Sequence, residues 1–246
     1  MRRSVYCGSH APESTPMIWR SWSTCQICRR WPMPTLCEVC RRRHAALVPR
    51  CPHCAQQVGP GGEGWPNPHT CARDFAWHQA AARTDYVPPM DLWVKRLKFA
   101  GDWPLAHEMG RLMRECPLAE ELRLQADWIL PMPISPQRMI ERGYNQAAWL
   151  ARQWCGRDAR VRVHWLIKVR DTAAQAQADR TQRWQQLQGS MAIGRAHQAA
   201  LQGARVLLVD DVMTTGATLE VATRCALRAG AVRVDVVVFA RTPEAG

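Results

Sequence analysis

Apolar positions fall into two periods along this chain. Arg205 to Val209 is a short run rich in β-branched and aliphatic residues without polar alternation, as expected of a strand buried on both faces of a parallel sheet. It ends at Asp210, and Leu219, Ala222, Ala226 and Ala229 then follow at helical spacing, with Gly230 placed to close the helix as its C′ residue. Trp128 to Leu130, the strand-like stretch Val161 to Ile167, and Val234 to Phe239 supply further strand patterns. Leu92, Val94, Leu97 and Phe99, interleaved with Lys95, Arg96 and Lys98, suggest a short amphipathic helix. A second begins at Leu105 and puts Leu105, Met109, Leu112 and Met113 on one face. These stripes read as core, with Lys98 as the side chain that can reach a ligand. Strands alternating with helices predict an α/β domain over about 85–243, a parallel sheet flanked by helices.

Before Tyr86 neither period holds, and cysteines set the spacing instead. Cys25-x-x-Cys28, Cys37-x-x-Cys40 and Cys51-x-x-Cys54 are three close pairs, followed by Cys71. Each pair makes a knuckle whose two thiolates can meet one tetrahedral zinc, and two knuckles complete a site. Cys25, Cys28, Cys37 and Cys40 form one full set. Cys51, Cys54 and Cys71 form a degenerate second one, whose fourth place falls to Asp74 or to His69 or His78; His53, inside the third knuckle, reads as a surface residue. Gly and Pro crowd residues 59–70, a loop that joins the knuckle to Cys71. A zinc-ribbon-like domain over 20–80 follows, too short to fold without metal, and residues 1–19 read as disordered.

Charge sharpens this picture little by itself. The formal net charge of +12 among 246 residues fits a solvated surface, a polyanionic metabolite or a nucleic acid. Arg41 to Arg43 and Arg50 are the candidates for tracking a phosphate backbone. No run approaches the ~18 apolar residues that span a bilayer, and no apolar core follows Arg2 and Arg3 as a secretory signal requires, so a cytoplasmic protein without membrane insertion is expected.

Chemistry concentrates just past two strand ends. After Val209 come Asp210 and Asp211, then Val212, Met213, Thr214, Thr215, Gly216 and Thr218 where a helix must begin. Paired carboxylates accept hydrogen bonds from vicinal sugar hydroxyls, while open helix amides and hydroxyls hold a phosphate. A ribose 5-phosphate satisfies both halves. The stretch VLLVDDVMTTGAT resembles the signature of type I phosphoribosyltransferases for phosphoribosyl pyrophosphate (PRPP), which implies that the acids hold the ribose hydroxyls, the following loop holds the 5′-phosphate, and magnesium accompanies the ligand.

Past Leu130, prolines at 131, 133 and 136 predict an extended stiff loop lining the crevice of the sheet, with Arg138 and Arg142 close enough to meet a diphosphate and a helix from about Gly143 to Trp154. Pro131, Pro133, Arg138, Arg142, Gly143, Tyr144, Asn145 and Gln146 together resemble the ComF family of competence-associated proteins, which pair a cysteine-rich zinc segment with a phosphoribosyltransferase-like domain. That resemblance makes Pro133, Ile134 and Ser135 the pyrophosphate loop. It extends over Thr172, Gln175 and Arg183 in a polar stretch suited to a hood, although Ala178 and Gln186 depart from the pattern. Two functions are consistent with it: transfer of a ribosyl 5-phosphate from PRPP, or a binding module for single-stranded DNA during DNA uptake.

Overall fold

A computed structural model of the chain describes residues 24–58, 71, 74–169 and 189–243. The expected disordered N-terminus, the loop at 59–70 with His69, and the hood residues Thr172, Gln175 and Arg183 lie outside the described residues.

Four parallel strands form the central sheet. They are β1 (Ala80–Asp85), β2 (Trp128–Pro131), β5 (Arg205–Met213) and β6 (Arg233–Arg241), in the spatial order β1-β6-β5-β2. A small antiparallel hairpin, β3 (Leu166–Lys168) with β4 (Met191–Ile193), stands apart from it. The first helix in the chain is α1 (Glu38–His44). Between β1 and β2 run α2 (Met90–Ala100), α3 (Trp103–Arg114) and α4 (Pro117–Gln125). After β2 come α5 (Pro136–Arg142) and α6 (Gln146–Cys155), and α7 (Ala217–Arg228) joins β5 to β6.

The unbroken apolar runs are buried on both faces, as their pattern requires. Leu207, Val209, Val237 and Phe239 enter one core with α2, α3, α4 and α6, while Val206, Leu208, Val236 and Val238 enter the other with α7 and the hairpin. On α3, Leu105, Met109, Leu112 and Met113 are fully buried as the stripe predicts. On α2 the stripe is only half right, because Val94 and Leu97 are buried whereas Leu92 and Phe99 face solvent.

Four expectations are revised. The strand expected to end at Asp210 continues to Met213, held by parallel pairing with β6 up to Arg241. Pro136 starts a helix rather than prolonging a loop: it occupies the first turn of α5, where a missing amide costs nothing, and Ser135 Oγ caps the helix by accepting from Arg138 N at 3.3 Å. The 161–167 stretch contributes one bridge, Val161 to Ile129, and then β3 rather than one strand. The sheet also begins earlier than residue 85, with β1, whose alanines lack the β-branched signal that marks its neighbours.

The cysteine segment is not a separate ball. Cys25, Leu36, Cys37, Cys40 and Ala45 belong to the core beneath α2 and α3, while Ala55 and Trp77 belong to the core of the opposite face. Buried Arg83 on β1 ties the two units by donating to Ala45 O at 2.6 Å and Leu112 O at 2.9 Å.

A candidate PRPP site and two cysteine clusters

Parallel pairing sets the carboxyl ends of β2 and β5 side by side, with Pro131 opposite Val209 and Met132 N donating to Val209 O at 2.8 Å. The loop Met132–Ser135 therefore starts beside Asp210 and Asp211, at the edge of an open parallel sheet where ligand crevices form. Asn145 fixes this loop. Its Nδ2 donates to Met132 O at 2.9 Å, and its Oδ1 caps α6 by accepting from Ala148 N at 3.1 Å. Tyr144, the preceding residue, donates its hydroxyl proton to Leu97 O and accepts from Gly101 N at 3.0 Å, which pins the C-terminus of α2.

That pin brings Lys98 to the acids. Its Nζ lies 3.2 Å from Asp211 Oδ2, so this buried carboxylate oxygen is charge-balanced, and it accepts no hydrogen bond among the described residues. Burial first, and then the negative charge of Asp211, push the Asp210 carboxyl up to about 8, against the opposing pull of Lys98. Asp210 Oδ1 accepts from Asp211 N at 2.8 Å.

Beyond Met213 the chain turns through Thr214, Thr215 and Gly216 into α7. Gly216 is the N-cap in a left-handed conformation, and no side chain caps the helix. Thr214, Thr215 and Thr218 are exposed at this open end. On the opposite rim Ser135 is buried and Arg138 exposed, while half-buried Arg142 donates to Gln146 Oε1 at 3.2 Å and lies over the Phe99 ring at 5.1 Å.

Both cysteine groups come together in space. The sulfurs of Cys25, Cys28, Cys37 and Cys40 all lie within 4.8 Å of one another, and so do those of Cys51, Cys54 and Cys71. Cys28 Sγ and Cys37 Sγ are 3.8 Å apart, the edge of a tetrahedron with metal–sulfur bonds of about 2.3 Å. Cys40 is pushed up to about 12 by burial and by the neighbouring thiols; Cys25 is lowered to about 6 because amides of Cys37, Cys28 and Ile27 outweigh its burial. Four crowded thiols that cannot all ionise alone are the donor set of a soft cation. The described cysteines form no disulfide. Asp74 is not drawn into the second cluster, and neither is His78, whose Nδ1 lies 3.5 Å from Asp235.

Of the arginines expected to track a phosphate backbone, Arg43 is exposed, whereas the other three pair with acids of this chain. Arg50 is buried, donating to Asp85 at 2.8 Å and Ala55 O at 3.1 Å, while Arg41 and Arg42 both close on Glu38 at 2.8 Å. Tyr144, Asn145 and Arg241 escaped the sequence reading as structural parts of the site. The first two lie in a motif that it had noted, but Arg241 sits past the last apolar residue of its strand, where no pattern marks it.

A family model described as the phosphoribosyl transferase domain matches residues 166–246. Over 236 residues the chain is 30% identical to a "DNA utilization protein YhgH" of Salmonella typhi, spanning 89% of this chain and 96% of that one. The chain belongs to the ComF family. Among other relatives of this ComF protein are "Competence protein F" of Haemophilus influenzae, 26% identical over 84% of this chain and 90% of the other, and "Competence protein ComFC" of Bacillus subtilis, 35% identical over 42% and 39%. Among the described residues, no helix of this ComF chain is long and apolar enough to cross a membrane.

Proposed function

We propose that this protein binds PRPP with magnesium and transfers its ribosyl 5-phosphate, in a role tied to DNA uptake. The observation that carries this reading is the end of β5, where two neighbouring carboxyls, Asp210 partly exposed and Asp211 beside Lys98, stand directly before a glycine-capped helix start and exposed threonines. Vicinal ribose hydroxyls donate to the partly exposed Asp210 carboxyl and to the Asp211 carboxyl beside it, whose buried Oδ2 is balanced by Lys98 Nζ at 3.2 Å. The 5′-phosphate lies among Thr214, Thr215, Gly216 and Thr218, with Val212 and Met213 leading the backbone in. Pro133 to Ser135 border the diphosphate, and Arg138 and Arg142 balance its charge.

In the transfer, the bond from ribose C1 to the diphosphate oxygen breaks and its electron pair leaves with diphosphate. A lone pair of the acceptor fills C1, and the acceptor's proton passes to solvent. Charge grows on both fragments, so holding the ribose while neutralising diphosphate lowers the barrier. Magnesium would be held by oxygens of the ligand together with the carboxyls of Asp210 and Asp211, and would supply positive charge for the departing diphosphate. The cysteine clusters suit structural zinc, at Cys25, Cys28, Cys37 and Cys40 and at Cys51, Cys54 and Cys71. The names of the relatives support the link to competence and DNA utilisation.

Calorimetric titration with PRPP and magnesium tests this reading. Saturable binding that falls at least tenfold in the variant Asp210→Asn/Asp211→Asn supports it, and wild-type protein that binds no PRPP overturns it. Single-stranded DNA titrated in parallel, with affinity falling as salt rises, would favour the binding-module reading.

A further inference from the structure

Arg241, the last residue of β6, is 1% exposed, and its guanidinium joins two distant parts of the chain. Nε donates to Cys54 O at 2.9 Å, in the Cys51–Cys54 knuckle. Nη1 donates to Met213 O at 3.1 Å, to Thr214 O, and to Thr242 O at 2.8 Å. A buried cation held by carbonyls resists any movement that would leave it without acceptors, since an unmade bond to a buried charge costs more than an ordinary one.

A second link runs between the same two places. Phe75 stacks on Trp77 with centroids 3.9 Å apart, and this plate lies so close to Gly216 that an added Cβ would fall 2.9 Å from Trp77 and 3.0 Å from Phe75. The plate hangs on the knuckle through His53, whose carbonyl accepts from Trp77 Nε1 at 2.7 Å and whose Nε2 accepts from Phe75 N at 3.3 Å. Buried Glu220, in the first turn of α7, accepts from Ala76 N at 2.8 Å. The Arg241 bonds and the plate meet the turn Met213–Gly216 itself, and the Glu220 bond fixes the helix that follows it.

We infer that the Cys51–Cys54 knuckle is a brace for the phosphate loop, with Arg241 as the positioning residue and the Phe75–Trp77 plate as the stop that keeps Gly216 in its left-handed turn. The inference rests on the reading that Thr214 to Thr218 hold the 5′-phosphate. It assigns the second cysteine cluster a task at the ligand site, in addition to local folding.

Two variants of the full chain test it. Arg241→Gln removes the charge and the fork; Phe75→Ala removes half of the plate without touching the sheet. Amide hydrogen exchange at residues 214–217 is expected to rise at least tenfold relative to α3, and PRPP affinity with magnesium to fall at least fivefold. Arg241→Lys is expected to behave as Arg241→Gln, because a single ammonium cannot reproduce the planar fork that spans the two segments. Loop exchange equal to wild type in either folded variant would overturn the brace, and should Arg241→Gln fail to fold, Phe75→Ala decides. A loosened loop with unchanged affinity would overturn the positioning role while leaving the functional reading intact. Wild-type protein that binds no PRPP would remove that reading, with the exchange measurement still deciding the brace.

Discussion

Asp210 shows how a ligand site is bought with stability. Its carboxyl is held up to about 8 by burial and by Asp211, so the folded chain holds a proton that the unfolded chain releases near pH 4. The unfolded state thus binds fewer protons across that window, and the stability of the ligand-free protein declines as pH rises from about 4 towards 8. Melting curves from pH 5 to 8 are expected to show this fall, and Asp210→Asn to flatten it while weakening PRPP binding. A melting temperature that rises over the same range would contradict the assignment. Lys98, 3.2 Å from Asp211 Oδ2, opposes the crowding, so Lys98→Met is expected to extend the decline to higher pH and Lys98→Arg to keep it near its wild-type range. The acids and threonines were legible in the sequence because they follow a strand in fixed order. Lys98 was legible as a side chain able to reach a ligand, but its pairing with Asp211 was not, since its reach depends on Tyr144 pinning the end of α2.

Among the elements, the strands of the interior were read most easily and the short helices least. Val206 to Val209 and Val236 to Phe239 announce themselves by unbroken apolar character, whereas β1 opens on three alanines, which pack against β6 through their small size and carry no strand preference. Pro136 pointed away from helix, although its ring is compatible with the first turn, and only the cap by Ser135 decides between the two outcomes. Close approach of elements was equally hidden. Gly110 on α3 lies against the backbone of α6, where an added Cβ would stand 2.7 Å from the Gln153 carbonyl carbon. Gly110→Ala is expected to force the helices apart at a cost of about 1–3 kcal/mol. Chemical denaturation checks this, and a loss below about 0.5 kcal/mol would show that the pair repacks freely. Tyr144→Phe removes one donor and one acceptor at the α2 end, and a loss of about 1 kcal/mol with weaker PRPP binding is expected.

For the molecule as a whole, the cysteine spacing foretold the clusters but not their place. The first cluster shares its core with α2 and α3, and the second reaches the opposite face of the sheet. Removal of metal with a chelator is therefore expected to lower the melting temperature of the entire protein in one transition. A separate early transition confined to the cysteine segment would show two independent units. Strand order has a further consequence, for synthesis. At the edge of the sheet β1 pairs with β6, so Ala80 waits for Val236, and at ~5–20 residues per second a ribosome takes on the order of ten seconds to supply it. A ribosome stalled before Arg233 carries both cysteine clusters, the paired aspartates and every threonine of the loop. It lacks the partner strand of β1 and the guanidinium that ties knuckle to loop, so a truncated product keeps the sequence signature without the means to hold its shape.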